Sequence, residues 1–262
     1  MLKKLLLLRL LVIGLLASTI FSCEPSEEGC LDLFSKNFGF QAVNECDSCC
    51  VYPDMKLSIN FIRDTFSYSF NDTIDLGGGD SLKFLNFDLL FSQFELQGEK
   101  GNYRIRDSVE IDDYFIKDDF GYIQKTTSKI IGATRFEDTL SSISFFLGFN
   151  KDSVETYKPF DQIDSNSELD FALDSLYVEE SNQYNLGNFR IQLADSIRYL
   201  KISGDSHQLQ FDVDRYVEKG LDWTINLQVD MHEVVNGLSA SMTNEELIEV
   251  FSQNLLEAII ML

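Results

Sequence analysis

The chain has 262 residues, 44% of them hydrophobic and 13% aromatic, which is ample apolar material for one large β domain or two smaller ones and too much for disorder. Its formal net charge of -22 repels phosphate backbones and anionic headgroups, so nucleic acid and a polybasic membrane mode are excluded as partners. Phe occurs 22 times and Pro only 3 times, a composition that suits strands.

Residues 1–22, MLKKLLLLRLLVIGLLASTIFS, combine a basic start, an apolar run and small residues near the end. That order predicts a signal peptide, because as a membrane span it is short and Arg9 interrupts it. The stretch Ile20-Phe21-Ser22-Cys23 resembles the lipobox of bacterial lipoproteins. The resemblance implies a diacylglycerol thioether on Cys23, which becomes the first residue of the mature chain. It implies a membrane partner reached through the N-terminal lipid and a place in the cell envelope, on the periplasmic or the surface face of the outer membrane. The acidic CEPSEEG that follows resembles the short export tag of some surface lipoproteins.

Four more cysteines come next, Cys30, Cys46, Cys49 and Cys50. In an exported chain an even number reads as two disulfides. A vicinal Cys49–Cys50 bridge would strain the geometry, which leaves two connectivities open. A zinc ribbon needs two C-x-x-C knuckles, yet only Cys46-Asp47-Ser48-Cys49 has that form and no His lies in the segment. The stretch GCLDLFSKNFGFQAVNECDSCCVYP resembles a short secreted cysteine repeat through Gly29-Cys30, Asp32, Asn37-Phe38, Ala42, Ser48 and Cys50-Val51-Tyr52. In that repeat the first and last cysteines pair. The resemblance therefore implies Cys30–Cys50 and leaves Cys46–Cys49 as a tight second loop. Residues 23–53 are expected to form a stapled leader between the anchor and the first strand.

From Pro53 onward the pattern has a period of two. Met55, Leu57, Ile59 and Phe61 alternate with Lys56, Ser58 and Asn60, and Phe66, Tyr68 and Phe70 continue the habit. GGGD at 77–80 predicts a turn ahead of the long aromatic-rich run from Ser81 to Leu96. Later alternating runs are Ile143-Phe145-Leu147-Phe149, Leu209-Phe211-Val213 and Leu221-Trp223-Ile225-Leu227-Val229. Polar turns separate these strands, which predicts an all-β, mostly antiparallel sandwich or barrel over residues 54–262. Residues 165–178 suit either a short helix or a strand with a loop. At the C-terminus Thr243 and Glu246 have capping-box spacing, and Phe251, Leu255, Ala258 and Ile259 share one helical face. One amphipathic helix packed on the β structure is expected there.

Catalytic signatures are missing: there is no G-x-S-x-G, no H-E-x-x-H and no G-x-x-x-x-G-K-[ST], so no enzyme is expected. The pairs Asp112-Asp113, Asp118-Asp119 and Glu179-Glu180 lack calcium-loop spacing and read as solvated turn acids. His207 shares the parity of Leu209, Phe211 and Val213 and is expected to open an inward-facing row. His232 has the opposite parity to Val229 and Met231 and is expected to face outward. His207, His232 and Met231 are the candidate metal ligands, since imidazole with thioether suits copper. The plain alternative is one strand-end histidine and one surface histidine, so no cofactor is expected and copper is the one candidate.

The order of MKLSINFIRDTFSYSFNDTIDLGGGDSLKFLNFDLLFSQFEL, LSSISFFLGFNKD and INLQVDMHEVVNG resembles the MbnP-like domain, a family of exported β-rich proteins named after a periplasmic copper protein. The matching motifs are a strand ending in Ser92-Gln93-Phe94-Glu95-Leu96 and the strand end Leu147-Gly148-Phe149-Asn150. In members with copper, histidines bind the metal and a nearby tryptophan can be oxidised by a partner dihaem enzyme. The corresponding stretch here is SLYVEESNQYNLGNFRIQL. Tyr177 and Tyr184 fit, but Val178 stands in place of the tryptophan and the upstream YKPFDQID has no histidine. The later family histidine falls at Lys201, and Trp223 lies on another strand. The resemblance implies a lipid-anchored, non-catalytic binding or scaffold protein with a degenerate copper site and an envelope protein as partner. Its alternative is a copper-binding protein of metal handling.

Overall fold

A computed structural model describes residues 28–46, 48–70, 72–105, 108–111, 114–117, 121–124, 128–148, 176–178, 183–203 and 206–262. The signal segment, Cys23, the three acid pairs and the stretch 157–175 lie outside the described residues.

In chain order the strands are β1 (Glu28–Gly29), β2 (Asn44–Glu45), β3 (Asp54–Arg63), β4 (Phe66–Ser67), β5 (Ile74–Gly77), β6 (Asp80–Gly98), β7 (Asn102–Arg104), β8 (Ser108–Ile111), β9 (Tyr114–Lys117), β10 (Gly121–Gln124), β11 (Ser128–Ala133) and β12 (Asp138–Leu147). They continue with β13 (Tyr177–Val178), β14 (Gln183–Tyr184), β15 (Gly187–Leu193), β16 (Ser196–Ile202), β17 (His207–Val217) and β18 (Trp223–Asp230). Helices α1 (Met231–Val234) and α2 (Asn244–Ala258) then precede β19 (Ile259–Met261).

Two sheets form a sandwich. The larger runs β16-β15-β6-β12-β17, with β5, β7 and β10 also paired to β6. The smaller runs β11-β3-β18-β19, with β4 on β3. Strand alternation explains the inner faces: Met55, Leu57, Ile59 and Phe61 of β3 and Trp223, Ile225, Leu227 and Val229 of β18 are all buried. Against them lie Phe84, Phe87, Phe91, Phe94, Phe145 and Phe189, all fully buried, and one contiguous core joins both sheets and α2. Consecutive burial of Leu89, Leu90, Phe91 and Ser92 shows that β6 is covered on both faces at its middle.

β6 serves so many partners because it is 19 residues long and bends. Gln93 sits at φ 55, where the β6–β12 register slips between Ser144 and Phe146, the signature of a bulge. The GGGD turn forms as expected, with Gly77, Gly78 and Gly79 all at positive φ in the β5–β6 hairpin.

The mostly antiparallel sandwich forms as expected, with one parallel pair in the smaller sheet, where β18 runs beside β3 from Trp223↔Met55 to Asp230↔Ile62. Alternating burial is identical in either strand direction, so periodicity carries no information on it. Two expectations need correction. The strand pattern through Phe70 is cut short: Phe66 and Ser67 pair with Arg63 and Ile62 and Phe66 is exposed, while Tyr68 turns back into the core and half-buried Phe70 sets its ring 4.8 Å from Phe61 and 5.5 Å from Phe87. Ile259 leaves the helix. It opens β19 opposite Val229, where the edge of β18 satisfies its backbone.

The rest of α2 follows the pattern. Thr243 Oγ1 accepts from the Glu246 N–H at 3.2 Å, and Glu246 Oε2 accepts from the Thr243 N–H at 2.8 Å. Leu247, Phe251, Leu255 and Ala258 form the buried face, with the Phe251 ring 4.6 Å from Phe189 and 6.0 Å from Phe84. The single-turn α1 is an addition to the expected helix, capped by Asp230 accepting from the His232 N–H at 2.9 Å.

Candidate functional site

The described chain begins with a small stapled unit. Cys30 is bonded to Cys50 and Cys46 to Cys49, with Cα separations of 4.9 and 5.7 Å. Between them, Asn37 closes the segment on itself. Its amide donates to Cys49 O at 2.7 Å and its carbonyl accepts from the Val51 N–H at 2.8 Å. Asp32 shapes the first turn by accepting from the Phe34 N–H at 2.9 Å. Gly29 permits the parallel β1–β2 contact, since a Cβ there would lie 2.8 Å from that of Ala42.

Ligand atoms of Cys46, Cys49 and Cys50 lie within 4.8 Å of one another, the one such His, Cys, Asp or Glu trio among the described residues. All three sulfurs are in disulfides, so none offers the thiolate that a metal requires.

Two charged latches fasten this unit to the sandwich. In the first, Asp32 pairs with Arg135 and accepts from the Tyr52 hydroxyl at 3.0 Å, while the Arg135 guanidinium lies 4.2 Å from the centre of the Tyr52 ring. Burial opposes ionisation of Asp32, but the Phe34 N–H, Arg135 and Tyr52 outweigh it and hold its carboxyl below the ordinary value. In the second, Lys36 Nζ donates to Asp222 at 2.8 Å and to Asp54 at 3.1 Å, and the Asp54 N–H donates to the same Asp222 oxygen at 2.8 Å. Lys36, then the Asp54 N–H, lowers the Asp222 pKa, and Asp222, then Asp54, raises that of Lys36.

The unit leaves apolar side chains uncovered. Phe40 is 80% exposed and Val43 71%, with Leu33 and Val51 about half exposed. A shallow cavity of about 390 Å³ opens between Phe38, Phe40, Ala42, Gly29, Cys30 and Cys49.

The remaining displaced pKa values belong to bracing contacts. Asp138 is buried, and its carboxylate accepts from Lys100 N–H, Tyr103 O–H and Thr139 N–H, each at 2.8 Å. Those bonds override the upward push of burial and leave Asp138 low. Burial, then the bond to Asp138, pushes Tyr103 up to about 12. Tyr216 donates to Glu137 at 2.5 Å, lowering the acid and raising the phenol. Burial lifts Tyr68 to about 12, and its hydroxyl bonds Asp72 O at 3.2 Å.

The candidate copper ligands are dispersed. His207 is exposed at the start of β17, opposite Leu147. The row it shares with Leu209, Phe211 and Val213 is only half-buried, because β17 ends the strand order of the larger sheet. His232 is exposed on α1, as its parity predicts, whereas Met231 beside it is fully buried in the core. Helix α1 packs chiefly on α2, β3 and β18. The thioether is thus used in packing, and the two imidazoles lie on separate elements. Tyr177 is the cross-strand partner of Tyr184 and Val178 that of Gln183, Lys201 is exposed on β16, and Trp223 is buried at the start of β18.

Sequence reasoning missed Arg135 and Asp222, the sandwich halves of the latches. Asp32 belonged to a recognisable repeat, but an acid and a base 103 residues apart leave no local signal. Among the described residues no helix is long and apolar enough to cross a membrane. No protein-family model and no curated protein sequence matches the chain. Among solved structures, MbnP from Methylosinus trichosporium is similar at 13% identity and a TM-score of 0.41, over 68% of this chain and 76% of that one.

Proposed function

We propose that this chain is a lipid-anchored protein of the cell envelope whose β sandwich has a non-catalytic binding or scaffold role. The observation that carries the reading is the stapled unit between the lipobox cysteine and β3, fastened to the sandwich by Asp32–Arg135 and Lys36–Asp222. An anchor at Cys23 would then lead into the sandwich by way of this cross-linked unit. Two disulfides support an oxidising compartment outside the cytoplasm. The displaced ionisable groups all hold loops or strands in place, which favours binding over catalysis.

Two measurements test the reading. Labelled palmitate should enter wild-type protein and not Cys23→Ala, and the variant should leave the membrane fraction. Copper titration followed by spectroscopy should find no tight stoichiometric site. A site that forms in wild type and vanishes in His207→Ala/His232→Ala would replace the scaffold role with metal handling.

A further inference from the structure

We propose that the exposed apolar residues of the stapled unit, centred on Phe38, Phe40 and Val43, form a membrane-contact surface that seats the sandwich on the bilayer carrying its anchor. The proposal rests on lipidation of Cys23 and adds to it a second, non-covalent contact.

Three observations carry it. The first is concentration. Of the fourteen exposed large hydrophobic residues among those described, six fall in this one short unit: Leu31, Leu33, Phe38, Phe40, Val43 and Val51. Scattered exposed apolar residues are ordinary, but a cluster on a rigid, cross-linked unit marks an interaction surface.

The second is reach. Cys23 precedes Glu28, the first described residue, by five positions. A fully extended chain spans at most about 3.6 Å per residue, so Glu28 lies within roughly 18 Å of an acylated Cys23. The headgroup layer on each side of a bilayer is itself about 5–8 Å thick. Among the described residues this unit is the one tied most closely in sequence to the lipid, and the bilayer is the apolar phase at hand for Phe40.

The third is charge and orientation. Lys36 and Asp32 are turned toward Asp222, Asp54 and Arg135 of the sandwich, which leaves Phe40 and Val43 uncovered. Between Lys36 and Lys56 the sequence has no Lys or Arg, while Glu45, Asp47 and Asp54 are acidic. Contact therefore comes from apolar insertion at the interface and not from attraction to phosphate, and a zwitterionic surface suits it better than an anionic one.

The test uses full-length acylated protein reconstituted in phosphatidylcholine vesicles with brominated acyl chains, which quench indole at short range. Phe40→Trp places a reporter in the surface, and Phe66→Trp places one on β4, which pairs with Arg63 at the end of β3 opposite to the stapled unit. Both sites are strongly exposed, so both variants should fold, and the wild-type spectrum supplies the Trp223 background. The expected result is a blue shift and loss of most emission at Phe40→Trp, with Phe66→Trp unchanged. Intact-mass measurement on the same samples reports the acyl group. If Cys23 is acylated and Phe40→Trp is unquenched, or is blue-shifted without quenching as a second copy or a protein partner would cause, the contact surface is wrong and the lipoprotein reading stands. Equal quenching at both positions also overturns it. Absence of the acyl group defeats the lipoprotein reading and this surface together.

Discussion

The guanidinium of Arg135 meets the carboxylate of Asp32, 103 residues earlier in the chain, and covers the Tyr52 ring on the same side. One residue of the β11–β12 connection thereby holds the stapled unit by charge and by its ring. Arg135→Ala should free that edge at a cost of about 1 kcal/mol, since the pair is partly solvated. Amides of residues 29–51 should exchange roughly fivefold faster, with little change in the melting temperature of the sandwich. Unchanged exchange would mean that Lys36 and the chain connection suffice.

The same latches set a pH window. The Asp32 and Asp222 carboxyls lie below their ordinary 3.8 when docked, so their contribution is present above that value and lost as pH falls through the lowered ones. Lys36 is raised above 10.5, so its contribution is present below that value and lost as pH rises through the raised one. Docking should be flat from about pH 5 to about pH 9 and loosen at both ends. The Gly29 and Gly39 amide resonances, followed by NMR, report it, and a midpoint near pH 7 would contradict the assignment.

The two disulfides should differ in worth. Cys30–Cys50 closes a separation of 20 residues, and Cys30→Ser/Cys50→Ser should cost the unit about 3 kcal/mol in the chain-entropy account. Cys46–Cys49 closes a separation of 3, and its removal should cost about 2 kcal/mol. Urea unfolding, read by proteolysis of the unit, orders them.

At the other end of the molecule, Phe251 and Thr243 separate packing from capping. Phe251→Ala removes a fully buried ring set against Phe84 and Phe189 and should cost about 3–5 kcal/mol. Thr243→Ala removes half of the capping box and should cost about 1 kcal/mol. Equal losses in chemical denaturation would show that α2 is not packed as described.

What could be read from the residues was whatever repeats locally. Met55, Leu57, Ile59 and Phe61 are buried because alternation forces one face of β3 inward, and the same rule located β18. Cap chemistry located the start of α2 at Thr243 but not its end, because Ile259 follows the open edge of β18 and not the helical period. The latches were illegible for the opposite reason. Arg135 and Asp222 are ordinary surface charges until the fold brings Asp32 and Lys36 to them. Met231 teaches the same lesson for metal ligands. Its thioether suits copper by chemistry, yet it shares the parity of Val229, and that parity puts it in the core.

The parallel match of Met55 with Trp223 has a consequence for biogenesis. Ribosomes deliver β3 about 168 residues ahead of the strand that completes it. Until β18 arrives, β3 presents an unmatched backbone edge on that side, the kind of template on which nascent chains coaggregate, even though its row of Met55, Leu57, Ile59 and Phe61 already has the aromatic residues of β6 to pack on. A chaperone that holds this edge of β3 in the interval has a defined epitope to protect.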